Sequence, residues 1–298
     1  MPFSYHPTEI SSLPIKHETV EETDHLPVFF SSSCGTKYNI WKHNFDGLTV
    51  PIHWHEYIEF IYLLKGHMTA VVQADTYELN EGDLLIINSG DLHMTRVSRP
   101  HTPYILIQLS DKRLREFFPE LELLHFTTCI KAEEVLRTPQ LHNLIIALKD
   151  IFEERSDGYQ LLFTARLHEF LYTLYKYHSC WAVSRTDSTT GRDLGRIIGI
   201  IEWTKENFRQ PLTLDSAAGQ LGISREYFCR IFKKYTGQTY LEYLCAIRTM
   251  NLYDELKTSD LSITLLMEQN GLTNYKTFIR TFKELYGTTP QKVRQGNI

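Results

Sequence analysis

The sequence predicts an α+β chain of several domains: a small β-barrel first, then a helical hairpin, then an all-α part with two helix-turn-helix units. Three observations predict it. Short apolar runs alternate with turn residues from about residue 36 to 110, apolar residues recur at helical spacing from about 111 onward, and one twelve-residue pattern near the C-terminus is written twice. Phe228, Arg230, Phe232, Lys233, Gly237 and Thr239 spell F-x-R-x-F-K-x3-G-x-T. Phe278, Arg280, Phe282, Lys283, Gly287 and Thr289 spell it again, 50 residues later. On a helix the two phenylalanines share one face, and the arginine between them lies about 200° round. Two duplicated helices with an apolar back and a basic front are therefore expected.

Composition bounds the rest. A chain of 298 residues with 42% apolar and 12% aromatic residues is not disordered and is long enough for two cores. No apolar run approaches the ~18 residues that span a bilayer, and the first 25 residues carry His, Glu, Asp and Pro rather than a basic-then-apolar leader. Five cysteines without a CxxC pair suit reduced thiols, so a cytoplasmic protein with no membrane partner is expected. The net charge of -5 is uneven. From Arg192 onward 15 basic residues stand against 11 acidic, and before it 16 stand against 25. An acidic module joined to a mildly basic one fits a regulatory part fused to a polyanion-binding part.

Taken in order, residues 1–35 read as an irregular arm with at most one strand. Strands are predicted over 58–64, 68–73, 76–79, 84–87 and 104–109, with Lys65-Gly66, Asn80 to Gly82 and Ser89-Gly90 as turns. Strands this short and close suit a barrel or sandwich. Inside this region Gly47, His53, His55, Glu59 and Gly66 follow the spacing G-x5-H-x-H-x3-E-x6-G, and Gly82, Gly90 and His93 follow most of a second pattern. Both resemble the two cupin motifs, with Asn88 where proline is usual and Val97 where the longer motif ends in asparagine. His53, His55 and Glu59 would share one face of a strand. Three imidazoles and a carboxylate converging in a barrel leave three readings open: a Zn, Ni, Mn or Fe(II) site, a metal-free site for a small ligand, and purely structural contacts.

A short helix is predicted over 111–117, ending at Pro119. Helices follow over 140–154 and 160–177, joined by Ser156-Asp157-Gly158 as an antiparallel hairpin. The second carries Leu161, Ala165, His168, Leu171 or Tyr172, and Tyr175 on one stripe, widened by Leu162, Phe163, Phe170 and Leu174. One neighbour cannot cover so much apolar surface, so a homodimer seam is expected. The Ser/Thr-rich stretch 182–192 reads as a linker, which divides the chain into 1–135, 136–180, 181–192 and 193–298.

The last part predicts a helix over 193–208, then Thr213 capping a helix to Leu221, a turn at Gly222, and Ser224 capping a helix over 225–235. A long helix over 240–256 follows, then Ser262 capping a short helix, a turn at Gly271, and a helix from Asn274 to Tyr286. Over about 195–296 these residues, with Arg248, Gly287 to Pro290 and Arg294, resemble the AraC/XylS family of transcription regulators. The cupin-like first part resembles the effector domain of its sugar-responsive members.

The resemblance implies two recognition helices in successive major grooves of double-stranded DNA. Ser224, Arg225, Glu226 and Arg230 would face bases in the first, and Asn274, Lys276, Thr277 and Arg280 in the second. Lys233, Lys234 and Lys283 would meet phosphate. Tyr227, Phe228, Phe232, Phe278 and Phe282 are assigned to core. Met267, Leu272 and Leu252 depart from the family pattern in the second unit and bear on its crossing angle. The expected function is that of a non-enzymatic, ligand-controlled transcription regulator that meets RNA polymerase if it activates. Its effector, a sugar by the resemblance, would bind at His53, His55, Glu59 and His93. The alternatives are a metal-binding cupin, sensor or metalloenzyme, fused to a DNA-binding domain, and a constitutive DNA-binding protein whose barrel is a scaffold.

Overall fold

In the first part of the chain, apolar residues sit on both faces of the central strands, because helices cover one side and a second sheet the other. The structure, a computed structural model, describes residues 28–32, 48–55, 57–99, 102–110, 118–119, 124–181 and 189–295. The predicted helix at 111–117, most of the arm, Gly47 and linker residues 182–188 lie outside the described residues.

Eleven strands are described: β1 Val28–Ser32, β2 Thr49–His53, β3 Tyr57–Leu63, β4 His67–Val72, β5 Asp75–Asn80, β6 Leu84–Ile87, β7 His93–Val97, β8 Tyr104–Ser110, β9 Leu124–Phe126, β10 Cys129–Ile130 and β11 Ser179–Trp181. One sheet runs β1-β8-β3-β6-β10 and another β2-β7-β4-β5, with β9 and β11 as a separate pair. No ladder joins the two larger sheets among the described residues, so of the barrel and the sandwich that the strand spacing allows, the described strands form two facing sheets that are not closed. Along β3, Ile58, Phe60 and Tyr62 face a core shared with the helical hairpin, while Ile61 and Leu63 face the other sheet. This double burial is why β3 reads as an unbroken apolar run.

A short helix, α1 Ala132–Arg137, precedes the hairpin of α2 Leu141–Glu154 and α3 Tyr159–His178. Leu141, Leu144, Ile145, Leu148 and Phe152 of α2 meet Phe163, Leu167, Phe170 and Leu174 of α3 in the core. The stripe expected at Leu161, Ala165, His168, Tyr172 and Tyr175 is the exposed face of α3. The inward stripe lies two positions on from it, about 200° round the helix.

The last part comprises α4 Thr189–Asn207, α5 Leu214–Gln220, α6 Arg225–Thr236, α7 Tyr240–Thr258, α8 Ile263–Gln269, α9 Tyr275–Tyr286 and α10 Pro290–Arg294. The helix therefore begins at Thr189, inside the predicted linker. Side-chain caps start each helix of both units: Thr213, Ser224 and Thr239 in the first, Ser262, Asn274 and Thr289 in the second. Such caps each contribute about 1 kcal/mol. The turns hold Gly222 at φ 63° and Gly271 at φ 71°, a region that only glycine enters without strain.

Helix α7 serves both units. Tyr240, Tyr243, Leu244 and Ile247 belong to the first core, while Ala246, Met250, Leu252, Tyr253 and Leu256 belong to the second. Met267, Leu272 and Leu252 are all buried in that second core, so the three departures are absorbed as packing. Arg248 on α7 fastens the two units. Its Nε donates to Phe208 O at 2.7 Å, Nη1 to Gly271 O at 2.8 Å and Nη2 to Gln210 O at 2.6 Å.

Candidate functional site

The duplicated helices place their apolar letters inward and their charged letters outward. In α6, Phe228, Ile231, Phe232 and Tyr235 are buried, while Arg225, Glu226, Arg230, Lys233 and Lys234 are exposed. In α9, Phe278, Phe282, Leu285 and Tyr286 are buried, and Lys276, Arg280 and Lys283 are exposed. Thr277 is half-buried. Ser224 and Asn274 are exposed, but their side-chain oxygens accept from Tyr227 N at 3.2 Å and Thr277 N at 3.0 Å. Capping is thus the first duty of both.

Two arginines carry exposed ion pairs, Arg225 with Asp215 at 3.6 Å and Arg280 with Glu284 at 3.8 Å. Pairs of this kind are worth no more than about 1 kcal/mol, so either arginine can exchange its partner for a nucleic-acid oxygen.

Tyr227 corrects the core assignment. It is half-buried, and its hydroxyl lies 2.9 and 2.8 Å from the two carboxylate oxygens of Asp193 on α4. Those hydrogen bonds first, and then desolvation and the Asp193 charge, raise its pKa. The Arg230 guanidinium stacks over its ring at 5.0 Å, and Arg196 reaches Asp193 at 3.1 Å. Arg230 is therefore held in place by a chain running back to α4.

Tyr275 is a residue that the sequence reading passed over. It occupies in α9 the place of Arg225 in α6, and it is 55% exposed. The 50-residue offset of the repeat was the signal that could have found it.

The histidines gather at the other end of the chain's logic. His53 closes β2, His55 lies in the link that follows, Glu59 is on β3 and His93 opens β7. They do not share one strand, as the sequence suggested, because the chain crosses from one sheet to the other between His53 and Tyr57. All four are buried, and the three rings each bring a nitrogen within 4.8 Å of the others.

Backbone carbonyls set their tautomers. His53 Nδ1 donates to Pro51 O at 2.8 Å and His93 Nδ1 to Asp91 O at 2.8 Å. A carbonyl only accepts, so in the neutral ring Nε2 carries the lone pair. His93 Nε2 is buried with no hydrogen-bond partner among the described residues. His55 stands between two acceptors, Tyr57 O and Glu59 Oε2, each at 3.2 Å from a ring nitrogen. Gln108 Nε2 also donates to Glu59 Oε2, at 2.5 Å. Burial pushes the Glu59 carboxyl up, but the hydrogen bond from His55, the charges of His55 and His93 and the Gln108 amide outweigh it and leave the pKa lowered. Asn88, which replaces the usual proline, exchanges two hydrogen bonds with the Phe126 backbone, at 3.1 and 2.8 Å.

Burial first, and then the charges of His53 and His55, hold the His93 pKa well below 6.5. The unfolded chain therefore takes up a proton at this residue before the folded one does. Stability is intact above about pH 6.5 and falls as the pH drops below it, by up to about 1.4 kcal/mol per pH unit. Urea denaturation in the presence of chelator should give a lower midpoint at about pH 5.5 than at about pH 7.5. An unchanged midpoint contradicts the neutral, buried ring.

Comparison with known proteins bears on both sites. A helix-turn-helix domain model matches residues 217–296, and a model of the AraC-like ligand binding domain matches residues 42–171. The chain is similar to YdeC, an uncharacterized HTH-type transcriptional regulator of Bacillus subtilis. Identity is 25% over 285 residues, covering 93% of this chain and 96% of YdeC. It is 31% identical over 111 residues to the multiple antibiotic resistance protein MarA of Escherichia coli, covering 37% of this chain and 87% of MarA. The solved structure of ToxT from Vibrio cholerae aligns with 90% of this chain and 96% of its own, at 16% identity and a TM-score of 0.43. Among the described residues no helix is long and apolar enough to cross a membrane. With a ligand-binding domain ahead of two helix-turn-helix units, the chain belongs to the AraC/XylS family of transcription regulators.

Proposed function

We propose that this regulator binds a specific DNA site with α6 and α9 in successive major grooves, under the control of a ligand at the histidine cluster. The observation that carries the DNA reading is the shared helix α7 with its Arg248 clamp. It holds two exposed basic helices at a fixed separation, as grooves about 34 Å apart on one face of the duplex require. Arg225 and Arg230 are suited to guanine edges, Glu226 to cytosine N4, and Lys233, Lys234 and Lys283 to phosphates. Lys276, Thr277, Arg280 and Tyr275 form the second reading surface. Arg230→Ala is expected to lose about 1–3 kcal/mol on a selected site and to relax preference at one base position. Unchanged affinity and preference in a competition assay would remove Arg230 from base reading.

For the effector, the geometry favours a divalent transition metal over the expected sugar. Three ring nitrogens within 4.8 Å of one another converge on a space that suits a single ion. His53, His55 and His93 would hold the ion, with Glu59 as a fourth or outer ligand, and the donor set suits Zn, Ni, Mn or Fe(II). The Nδ1–H bonds to Pro51 and Asp91 are the outer contacts that such ligands use. The ion would supply a fixed charge that ties the three rings together. The site is read as a sensor and not as an enzyme.

The chain divides in this reading into an effector domain over 1–135, a hairpin over 136–180, a linker and a DNA-binding domain reaching to 298. The exposed stripe Leu161, Ala165, His168, Tyr172 and Tyr175 is offered to a second copy, and the dimer works in the cytoplasm. Sedimentation velocity over a concentration series tests the dimer, and Tyr172→Glu should shift it towards monomer.

A further inference from the structure

Strands β2 and β7 have two faces with two destinations. On one side they carry His53 and His93, which are register partners across the pair. On the other side Ile52 and Leu92, each immediately before a histidine, are buried in the same cluster as Ile197, Phe228 and Phe232. That cluster is the core of the first reading head. Trp54 and Met94 flank it on the same outer side.

A β-bulge makes this possible. Between Val50 and His53 the pairing of β2 with β7 shifts by one residue. An extra residue at such a place re-aims a side chain, and Pro51, which has no N–H to give the ladder, sits within it. The strand thus turns Ile52 into the DNA-binding domain while His53 turns into the cluster.

The leading end of β2 reaches the second head. Leu48 N donates to Leu285 O at 2.6 Å, and Thr49 Oγ1 to Glu284 O at 3.5 Å. Both acceptors belong to the last turn of α9, where four carbonyls have no partner within the helix. Strand β2 is thus a cap on the second recognition helix, at the end away from its reading residues. A third contact lies on β4, where a side chain added at Gly237, which closes α6, would meet Val71 Cγ2 at 3.4 Å.

We infer that the β2–β7 wall couples the two functions: a ligand that joins His53 to His93 fixes the wall, and the wall fixes both reading heads through Ile52, Leu92 and Leu48. This rests on the reading of the cluster as a metal site. A ligand shifts the arrangement of the heads only if it favours one setting of the wall, and bridging a cross-strand pair does that directly.

The test uses the full chain, its selected DNA fragment and Zn(II) against chelator. Wild type is expected to bind one Zn(II) per chain by calorimetry and to change its DNA affinity at least about five-fold on loading. Ile52→Ala should bind the same Zn(II), and the ratio of its DNA affinities with and without metal should stay below about two-fold, whatever its affinity without metal. Full coupling in Ile52→Ala overturns the inference and leaves the metal reading standing. A wild type that binds no Zn(II) overturns both. If Ile52→Ala does not fold, hydrogen exchange in wild type decides: loading should slow exchange at Leu48 and Val50, and unchanged rates overturn the inference.

Discussion

Replacing Arg248 with alanine is expected to destabilise the DNA-binding domain by about 3 kcal/mol, a large loss for one side chain on a helix surface. The guanidinium meets the carbonyls of Phe208, Gly271 and Gln210 at 2.6 to 2.8 Å. Bonds from a charged donor contribute roughly 1.5–3 kcal/mol each. The group is half-buried, so water replaces part of what is lost and the sum is not reached. Lysine should recover little of the loss, because one ammonium cannot span three acceptors set in a fork. Gly271→Ala strikes the same joint from the other side. Its Cβ would lie 3.1 Å from Arg248 Cζ and 3.2 Å from Arg209 O, at a φ that alanine avoids. Urea denaturation measures both. Equal midpoints for wild type and Arg248→Ala would mean that the two heads are joined by α7 alone.

His93→Ala should lower metal affinity at least about 100-fold, more than the 10- to 100-fold typical of losing an outer-shell partner. Wild-type chain purified without chelator should carry stoichiometric metal, and the variant should not. Wild type should also gain about 2.7 kcal/mol of stability in Zn(II) at 100 times its dissociation constant, and the variant at most about 0.4 kcal/mol at the same concentration. Equal metal content in the two proteins would return the cluster to a metal-free role. A sugar that stabilised wild type and not the variant would restore the sugar reading.

Much of the DNA-binding half was legible in the sequence, because its signals are local. Caps at Thr213, Ser224 and Ser262, turns at Gly222 and Gly271, and phenylalanines four apart each act within a few residues. The repeat then aligned one unit with the other.

The first half was less legible because its order is long-range. Strand β7 escaped notice because it is short, and β2, which contains Pro51, entered only as the strand assumed for His53 and His55. Yet their alternation was present in Ile52, His53, Trp54 and His55, polar to one side and apolar to the other. What the sequence could not supply was the destination of the apolar side, which is the other domain. The barrel was expected from strand spacing, and spacing does not say whether the two sheets close. Tyr227 was taken for core because it neighbours Phe228, while its partner Asp193 lies 34 residues away. On α3 both sides of the helix carry apolar residues, and periodicity alone does not say which side faces inward.

The central claim is that two heads read one DNA site from adjacent grooves. Selection of bound sequences from a random library, followed by footprinting, tests it directly. The account predicts two short conserved boxes about one helical turn, 10–10.5 base pairs, apart and on the same face of the duplex. Inserting about five base pairs between them, half a turn, should abolish high-affinity binding by one chain. A single box, or binding indifferent to the insertion, would contradict it.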